Sequence, residues 1–412
     1  MKKLLIKNIK GLAVAPEGQT GPIRGEQTKR IDLIENAFLA VENGKIADFG
    51  PMREMGGVND WSDLEVIDAT GKFVLPAFCD SHTHLVFAAS RESEFVDRIN
   101  GLTYEEIGKK GGGILNSARK LASMPEEELF NSAMKRLSEI RSWGTGAVEI
   151  KSGYGLSVES ELKMLRVIRR LNEESDLTIK ATFLGAHAFP AEFKENREGY
   201  VKCVVDEMIP AVAAERLADF IDVFCERNYF TNEQLDAILT AGVKAGLRPK
   251  IHVNQFSVMG GVQTGIKHRA VSVDHLEEMS EADFVSLEKS DTIATALPGC
   301  SFFLGIPYSP VRKMLERNIA VALATDFNPG SAPNGNMQFI LSLACTQMKL
   351  TPSEAINAAT INGAFAMELG AELGSIALGK KANLILTKEI PSLDYLPYAF
   401  AANCVERVIL HK

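Results

Sequence analysis

The chain of 412 residues is longer than one hydrophobic core normally serves, so a large domain with a smaller companion, or two domains, is expected. Its 46% hydrophobic and 24% charged residues are those of an ordinary globular protein and exclude a disordered or fibrous class. A net charge of −8 with no dense Lys/Arg stripe excludes a nucleic-acid partner, because neutralising phosphates needs a basic surface, and a small molecule is the expected partner.

The N-terminal MKKLLIKNIK breaks its apolar run after three residues, too short for the core of a secretory signal. No run approaches the ~18 apolar residues of a membrane span, so a cytoplasmic protein with no membrane partner is expected. The cysteines Cys79, Cys203, Cys225, Cys300, Cys345 and Cys404 are scattered in apolar contexts without a CxxC pair. They read as small buried hydrophobes in a reducing compartment.

The first seventy or so residues alternate short apolar runs with turn residues: LLIKNIKGLAV, AFLAVENGKIADFG with a hairpin turn at Asn43-Gly44, and LEVIDATGKFVLP. They predict a small antiparallel β unit. The tail has the same character in GSIALGKKANLILTKEI and CVERVILHK, so residues 1–72 and 372–412 are expected to complete one small β-sandwich domain.

Residues 73–371 carry eight strand-like runs, each followed by a helix-like or loop-and-helix segment: KFVLPAFCDSH, GTGAVEIKS, TIKATFLGAH, ADFIDVFCE, RPKIHVNQF, AVSVDHLEE, DTIATALPG and AVALATDF. Between them, SVESELKMLRVIRRLNEES and TNEQLDAILTAGVKAG repeat apolar residues at helical spacing. Apolar strands alternating with helices predict an α/β fold of the (β/α)8 TIM-barrel type, whose parallel strands are buried on both faces. An open doubly wound sheet is the competing architecture, but neither GxGxxG nor GxxxxGKS/T follows the first strand.

In a barrel the catalytic groups sit at the C-terminal ends of the strands. The first run ends in His82 and His84, the third in His187, the fifth in His252, the sixth in His275 and the eighth in Asp326. Five of seven histidines thus fall on one rim, while His268 and His411 read as surface or structural. Strand residues i and i+2 face the same way, so His82 and His84 form a chelating pair, although HxH by itself is more often hydrogen-bonded. Joined by His252 and Asp326 they make a set suited to Zn²⁺ or another first-row divalent ion with one position left for water. Such an ion lowers the pKa of water from ~15.7 to roughly 7, and Asp326 can take the proton. Read alone, Asp326 in TDFNPGS is a turn or N-cap residue.

His275 in SVDHLEE is placed to polarise or protonate the reacting group, or else bonds a carboxylate such as Asp274. Gln255 in HVNQF can donate or accept a hydrogen bond but cannot act as a general base. Lys151 lies on the second strand, and no strand-end lysine is in place to bridge two metal ions, so a mononuclear site is expected.

The segments HTHLVFAASRESEF, TYEEIGKKGGGI, EIKSGYGL, TFLGAHAFP, HVNQF, DHLE and ATDFNPGS resemble the amidohydrolase superfamily. More narrowly, they resemble the imidazolonepropionase family, the cyclic-amide hydrolases of histidine degradation, through nearly the whole chain. The resemblance implies that His82, His84, His252 and Asp326 hold one zinc or iron ion. It also implies that Arg91, Tyr154, His187, Gln255, Asn328, Gly330 and Ser331 contact an anionic small-molecule substrate, 4-imidazolone-5-propanoate, with Asp326, His275 and Gln255 as the catalytic set.

The chemistry of several of these residues agrees. Arg91 can hold a carboxylate bidentately, or else pairs at the surface with Glu92 or Glu94. Tyr154 in SGYGL reaches the same carboxylate or packs on the rim. The turn NPGS offers backbone N–H groups to a ligand or serves only itself. Gly111 to Gly113, without a following GKS/T, reads as the start of a helix or a mobile rim loop. Gln255 is a departure, since some family members carry glutamate there, and proton transfer is left to Asp326 and His275. The expected reaction is hydrolysis of the ring amide to N-formimidoyl-L-glutamate. A deaminase of heterocyclic bases and a non-catalytic barrel scaffold are the alternatives, and barrel enzymes of this type are often homodimers.

Overall fold

The computed structural model describes residues 3–57, 62–102, 106–107, 110–400 and 402–411, so residues 103–105, 108 and 109 of TYEEIGKKGGGI lie outside the description. Strands β1 (Lys3–Val14), β2 (Asp32–Glu42), β3 (Lys45–Pro51), β4 (Leu64–Asp68) and β5 (Lys72–Pro76) join β14 (Leu384–Glu389) and β15 (Val405–Ile409) in one seven-stranded sheet. Asn43 and Gly44, with φ of 52° and 76°, make the β2–β3 hairpin turn. The register of β1 shifts between Ile6 and Ile9, where Asn8 takes φ 56°, and β1 pairs with β4 before this bulge and with β5 after it. Both of those pairings are parallel, so the sheet is mixed where an antiparallel unit is expected. The two chain ends do come together, as one hydrogen-bonded sheet around a core that includes Ile6, Ile9, Leu12, Leu39, Ile46, Leu384 and Leu386.

The run KFVLPAFCDSH divides in two. Lys72–Pro76 is β5, Ala77 N–H still bonds Asn383 of the small unit, and the barrel begins where Phe78 N–H bonds Gly144. Strands β6 (Phe78–Thr83), β7 (Thr145–Lys151), β8 (Thr178–Ala186), β9 (Phe220–Cys225), β10 (Arg248–Val253), β11 (Ser272–His275), β12 (Ile293–Ala296) and β13 (Val321–Leu323) form a parallel sheet in chain order. The ring is nearly closed: Asp326 N–H donates to His82 O at 3.0 Å and His84 N–H to Phe327 O at 2.9 Å. Asp80 reinforces the seam by accepting from the backbone and hydroxyl of Thr325 at 3.0 and 2.6 Å.

The helices Val158–Glu174 and Asn232–Lys244 cover the barrel with the apolar faces their spacing predicts, burying Met164, Ile168 and Leu171 in the first and Leu235, Ile238 and Leu239 in the second. Ser157 caps the first and a Thr231–Gln234 capping box starts the second. Gly113 opens the helix Gly113–Ser123 and its N–H donates to Glu94. All six cysteines are free, four buried and two half-buried. Among the described residues no helix is long and apolar enough to cross a membrane.

Candidate active site

At the C-terminal mouth of the barrel three imidazoles converge. The Nε2 atoms of His82 and His84 lie 3.1 and 3.2 Å from Nε2 of His252. Asp326 Oδ1 is 3.6 Å from His82 Nε2 and 3.7 Å from His84 Nε2. Burial pushes all three imidazoles well below the ordinary histidine pKa, so they are neutral. With protons on the Nδ1 atoms of His82 and His252, their Nε2 lone pairs face each other at this separation and repel, and a shared cation removes the repulsion.

Two of the three outer nitrogens are held by carboxylates, while His84 Nδ1 is buried without a hydrogen-bond partner among the described residues. His82 Nδ1–H donates to Asp274 at 2.6 Å and His252 Nδ1–H to Asp222 at 2.8 Å, which fixes the tautomers that leave Nε2 free to bind a metal. Asp274 therefore bonds His82 and not its neighbour His275, whose Nδ1 faces Glu277. Beneath them Lys151, the last residue of β7, lies 2.8 Å from Glu149, 2.9 Å from Asp222 and 3.8 Å from Asp274, all fully buried. Burial alone would lower the Lys151 pKa, but the three carboxylates outweigh it and raise it. Lys250 lies alongside, donating to Ser272 Oγ at 2.8 Å and Ala366 O at 2.9 Å.

The sequence places Lys151 on the second strand, with no strand-end lysine expected to bridge two metal ions, and does not show this layer. Lys151 stands at the end of its strand with its charge taken up by carboxylates. The available signal was alternation: Glu149 with Lys151, and Lys250 with His252, share the inner face at i and i+2. Asp222, a lone acid inside the apolar FIDVFC, carried the same message.

His275 ends β11 with φ 86° and Leu276 follows with φ 65°, a left-handed pair that side chains rarely adopt. Ser309 Oγ donates to the His275 carbonyl at 2.6 Å and helps hold it. His275 Nδ1 faces Glu277 Oε1 at 3.4 Å. Burial pulls the His275 pKa down, yet Glu277, Asp326 and Asp274 together raise it above the usual value. Burial also raises Asp326 to about 6, against the opposing pull of His275.

His84, His252, His275 and Asp326 line one cavity with Arg91, Tyr154, His187, Gln255, Asn328, Gly330 and Ser331; His82 lies buried beside His252. Arg91 is buried, not paired at the surface: Nε donates to Ser117 Oγ at 2.9 Å and the guanidinium carbon is 5.6 Å from the Tyr154 ring centre. Its Nη2 is buried without a hydrogen-bond partner among the described residues. Glu94 bonds Gly113 N–H instead, and Glu92 accepts from Ser90. A Cβ on Gly330 would press on Arg91 Nη1, so a side chain there would have to move the guanidinium.

The Tyr154 loop is fastened by Glu161, which accepts from the N–H groups of Gly153, Gly155 and Leu156 at 3.0, 2.7 and 2.9 Å. His187 Nδ1–H donates to Gly153 O at 2.9 Å, leaving Nε2 an acceptor, and burial lowers its pKa to about 4. Gln255 Nε2–H donates to Cys300 Sγ at 3.3 Å. The NPGS turn serves itself: Asn328 Oδ1 accepts from Gly330 N–H and Ser331 N–H at 2.7 and 2.8 Å, and Nδ2 donates to Asp326 O at 2.7 Å.

Residues 73–410 match the Amidohydrolase family. The chain belongs to that family. It is 54% identical to the imidazolonepropionase of Flavobacterium johnsoniae across 98% of both chains. It is also 54% identical to that of Christiangramia forsetii, across 99% of this chain and 98% of the relative. Among solved structures it is similar to E. coli guanine deaminase, with a TM-score of 0.76 at 14% identity over 100% of this chain and 98% of the other. A Xanthomonas campestris adenosine deaminase with bound zinc gives a TM-score of 0.71 at 15% identity, over 99% and 92% of the two chains. At such identities the likeness shows the barrel fold alone.

Membership of the amidohydrolases, together with the buried histidine cluster, points to a divalent metal. The donor set of this amidohydrolase fits one. Nitrogen separations of 3.1 and 3.2 Å are close to the edge of about 3.3 Å of a tetrahedron with ~2.0–2.1 Å bonds.

Proposed function

We propose that this protein is a metal-dependent imidazolonepropionase, hydrolysing the cyclic amide of 4-imidazolone-5-propanoate to N-formimidoyl-L-glutamate. The observation that carries the reading is Arg91: a buried guanidinium with an unpartnered Nη2 in the same cavity as the histidine cluster demands an anionic ligand group. A neutral purine or pyrimidine offers none, which sets this reading apart from a deaminase. The imidazolonepropionase relatives at 54% identity support the same reaction.

His82, His84, His252 and Asp326 would hold one zinc or iron ion, which supplies Lewis acidity and makes water nucleophilic at neutral pH. Asp326 takes a proton from water as it adds to the ring carbonyl carbon. His275, as the imidazolium that Glu277 and Asp326 favour, donates Nε2–H to the oxygen on which charge develops. Asp326 then returns the proton to the ring nitrogen as the C–N bond breaks. Arg91 and Tyr154 grip the propanoate, His187 Nε2 accepts from a ring N–H, and Gln255 bonds the ring through its free carbonyl. Because the NPGS N–H groups are engaged with Asn328, that turn contributes by fixing Asp326 and shaping the wall around Arg91.

The test is mass spectrometry of freshly generated imidazolone propanoate after incubation with purified protein, with a chelated sample as control. A product heavier by one water, formed only with the metal, is expected. Unchanged substrate with a folded, metal-loaded protein would discard it, and ammonia release from heterocyclic bases would be examined next. Elemental analysis of the purified protein decides zinc against iron.

A further inference from the structure

The mechanism leaves the buried Cys300 thiol of the cavity region unused, and uses the neighbouring Glu277 carboxylate only to favour the His275 imidazolium. Cys300 is fully buried on the helix Pro298–Leu304, with Gln255 as its hydrogen-bond donor. The Glu277 side chain is also fully buried. Its Oε1 faces His275 Nδ1 and Ser301 Oγ, both at 3.4 Å, while Oε2 has no hydrogen-bond partner among the described residues. Ligand atoms of His275, Glu277 and Cys300 lie within 4.8 Å of one another. Only one other such group of three occurs among the described residues, and it is the His82–His84–His252 cluster.

We propose that His275, Glu277 and Cys300 form a second, inhibitory metal site that takes a thiophilic divalent cation such as Zn²⁺, Cd²⁺ or Co²⁺. The donor set is imidazole, carboxylate and thiolate, which suits such ions far better than Mg²⁺ or Ca²⁺. Ligands of a tetrahedral ion with ~2.0–2.3 Å bonds are about 3.3–3.7 Å apart, so small side-chain rotations close the site from its present spacing. Two features favour occupation. The unpartnered Glu277 oxygen gains a ligand, and Gln255 Nε2–H already points at the sulfur, where it would stabilise a thiolate. Binding replaces the Cys300 S–H bond and the Nδ1–H bond of the His275 imidazolium with bonds to the metal and releases both protons to solvent. Bound through Nδ1, the His275 ring turns toward Glu277 and Cys300 and carries its Nε2–H away from the reacting oxygen, so turnover falls.

The experiment adds Co²⁺ to the holoenzyme, with its resident metal in place. Cys300 lies against Asp326, but with the resident metal held in the first site a near-ultraviolet sulfur-to-cobalt charge-transfer band reports added Co²⁺ at Cys300. One further equivalent of Co²⁺ with that band is expected, and Cys300→Ser should abolish the band. Glu277→Gln should weaken Co²⁺ binding at least about tenfold, in line with loss of a ligand-shell partner. Turnover should fall in parallel with the band in the wild type, and at least tenfold more Co²⁺ should be needed in Cys300→Ser. No band in the wild type, or a band that survives in Cys300→Ser, overturns the proposal. Should Cys300→Ser fail to fold, Cys300→Ala and Glu277→Gln carry the same comparison. The band needs no substrate, so the outcome is independent of which cyclic amide the enzyme hydrolyses.

Discussion

Two cores of this molecule are built on opposite principles. The seven-stranded sheet closes over Ile6, Ile9, Leu12, Leu39 and Ile46, all apolar and almost wholly buried. The mouth of the barrel is just as dry, yet buries Glu149, Lys151, Asp222, Lys250 and Asp274. Apolar burial needs only complementary volume, whereas each buried charge needs a partner in the right place, because solvation lost by an ion is regained only from a close counter-charge. The sheet therefore supplies stability that tolerates change. The charged layer supplies geometry, since Lys151 ties together the two carboxylates that orient His82 and His252.

The sharpest way to break the contrast is at the histidines themselves. His252→Ala should lose bound metal by elemental analysis and bring turnover down to the uncatalysed background, while circular dichroism stays native. One layer below, Lys151→Met leaves buried carboxylates without their cation. It should cost about 3–5 kcal/mol in denaturant unfolding and weaken metal binding roughly 10–100-fold in a competition titration. Leu39→Ala in the sheet should cost a comparable ~2–5 kcal/mol with metal affinity and kcat/KM unchanged. If Leu39→Ala alters metal affinity, the division between the two cores is wrong.

Arg91→Lys keeps a charge but loses the fork that matches a carboxylate. It should lower kcat/KM roughly tenfold to a hundredfold, chiefly through KM, equivalent to about 1.5–3 kcal/mol for a charged hydrogen bond.

A pH-dependent effect concerns the barrel seam. Burial raises the Asp80 carboxyl from 3.8 to about 7, against the opposing hydrogen bonds from Thr325. The native state thus holds this proton more tightly than the unfolded chain does. Its contribution is present in full below about pH 4 and is lost as pH rises through about 7. Asp80→Asn, which cannot ionise, should therefore compare more favourably with the parent at pH 8 than at pH 4 in denaturant melts. A pH-independent difference would refute the assignment.

Much of the site was legible because catalysis in a barrel is tied to strand ends, and periodicity located those ends. His82, His84, His187, His252 and His275 could be placed on one rim without coordinates. Asp326 was found by company, being ambiguous as a turn residue until the histidines gave it a reason. The charged layer was not found, because Lys151 and Glu149 look like surface residues when their strand is scored for hydrophobicity. Cys300 was passed over as a small hydrophobe, and nothing local says that its thiol lies beside Gln255 and near Glu277. The KFVLPAFCDSH run reads as one strand because a continuous apolar stretch carries no mark at Ala77, where the backbone leaves one sheet for another.

The sequence by itself determined the alternation of strands and helices, the convergence of histidines on the barrel mouth and the family, since all three are encoded in local spacing. Tertiary structure decided which carboxylate serves which imidazole, that Gly330 lies against the Arg91 guanidinium, and that Arg91 is buried with an unpartnered nitrogen. Those facts depend on residues far apart in the chain meeting within a few ångströms, and only the closed barrel brings them there.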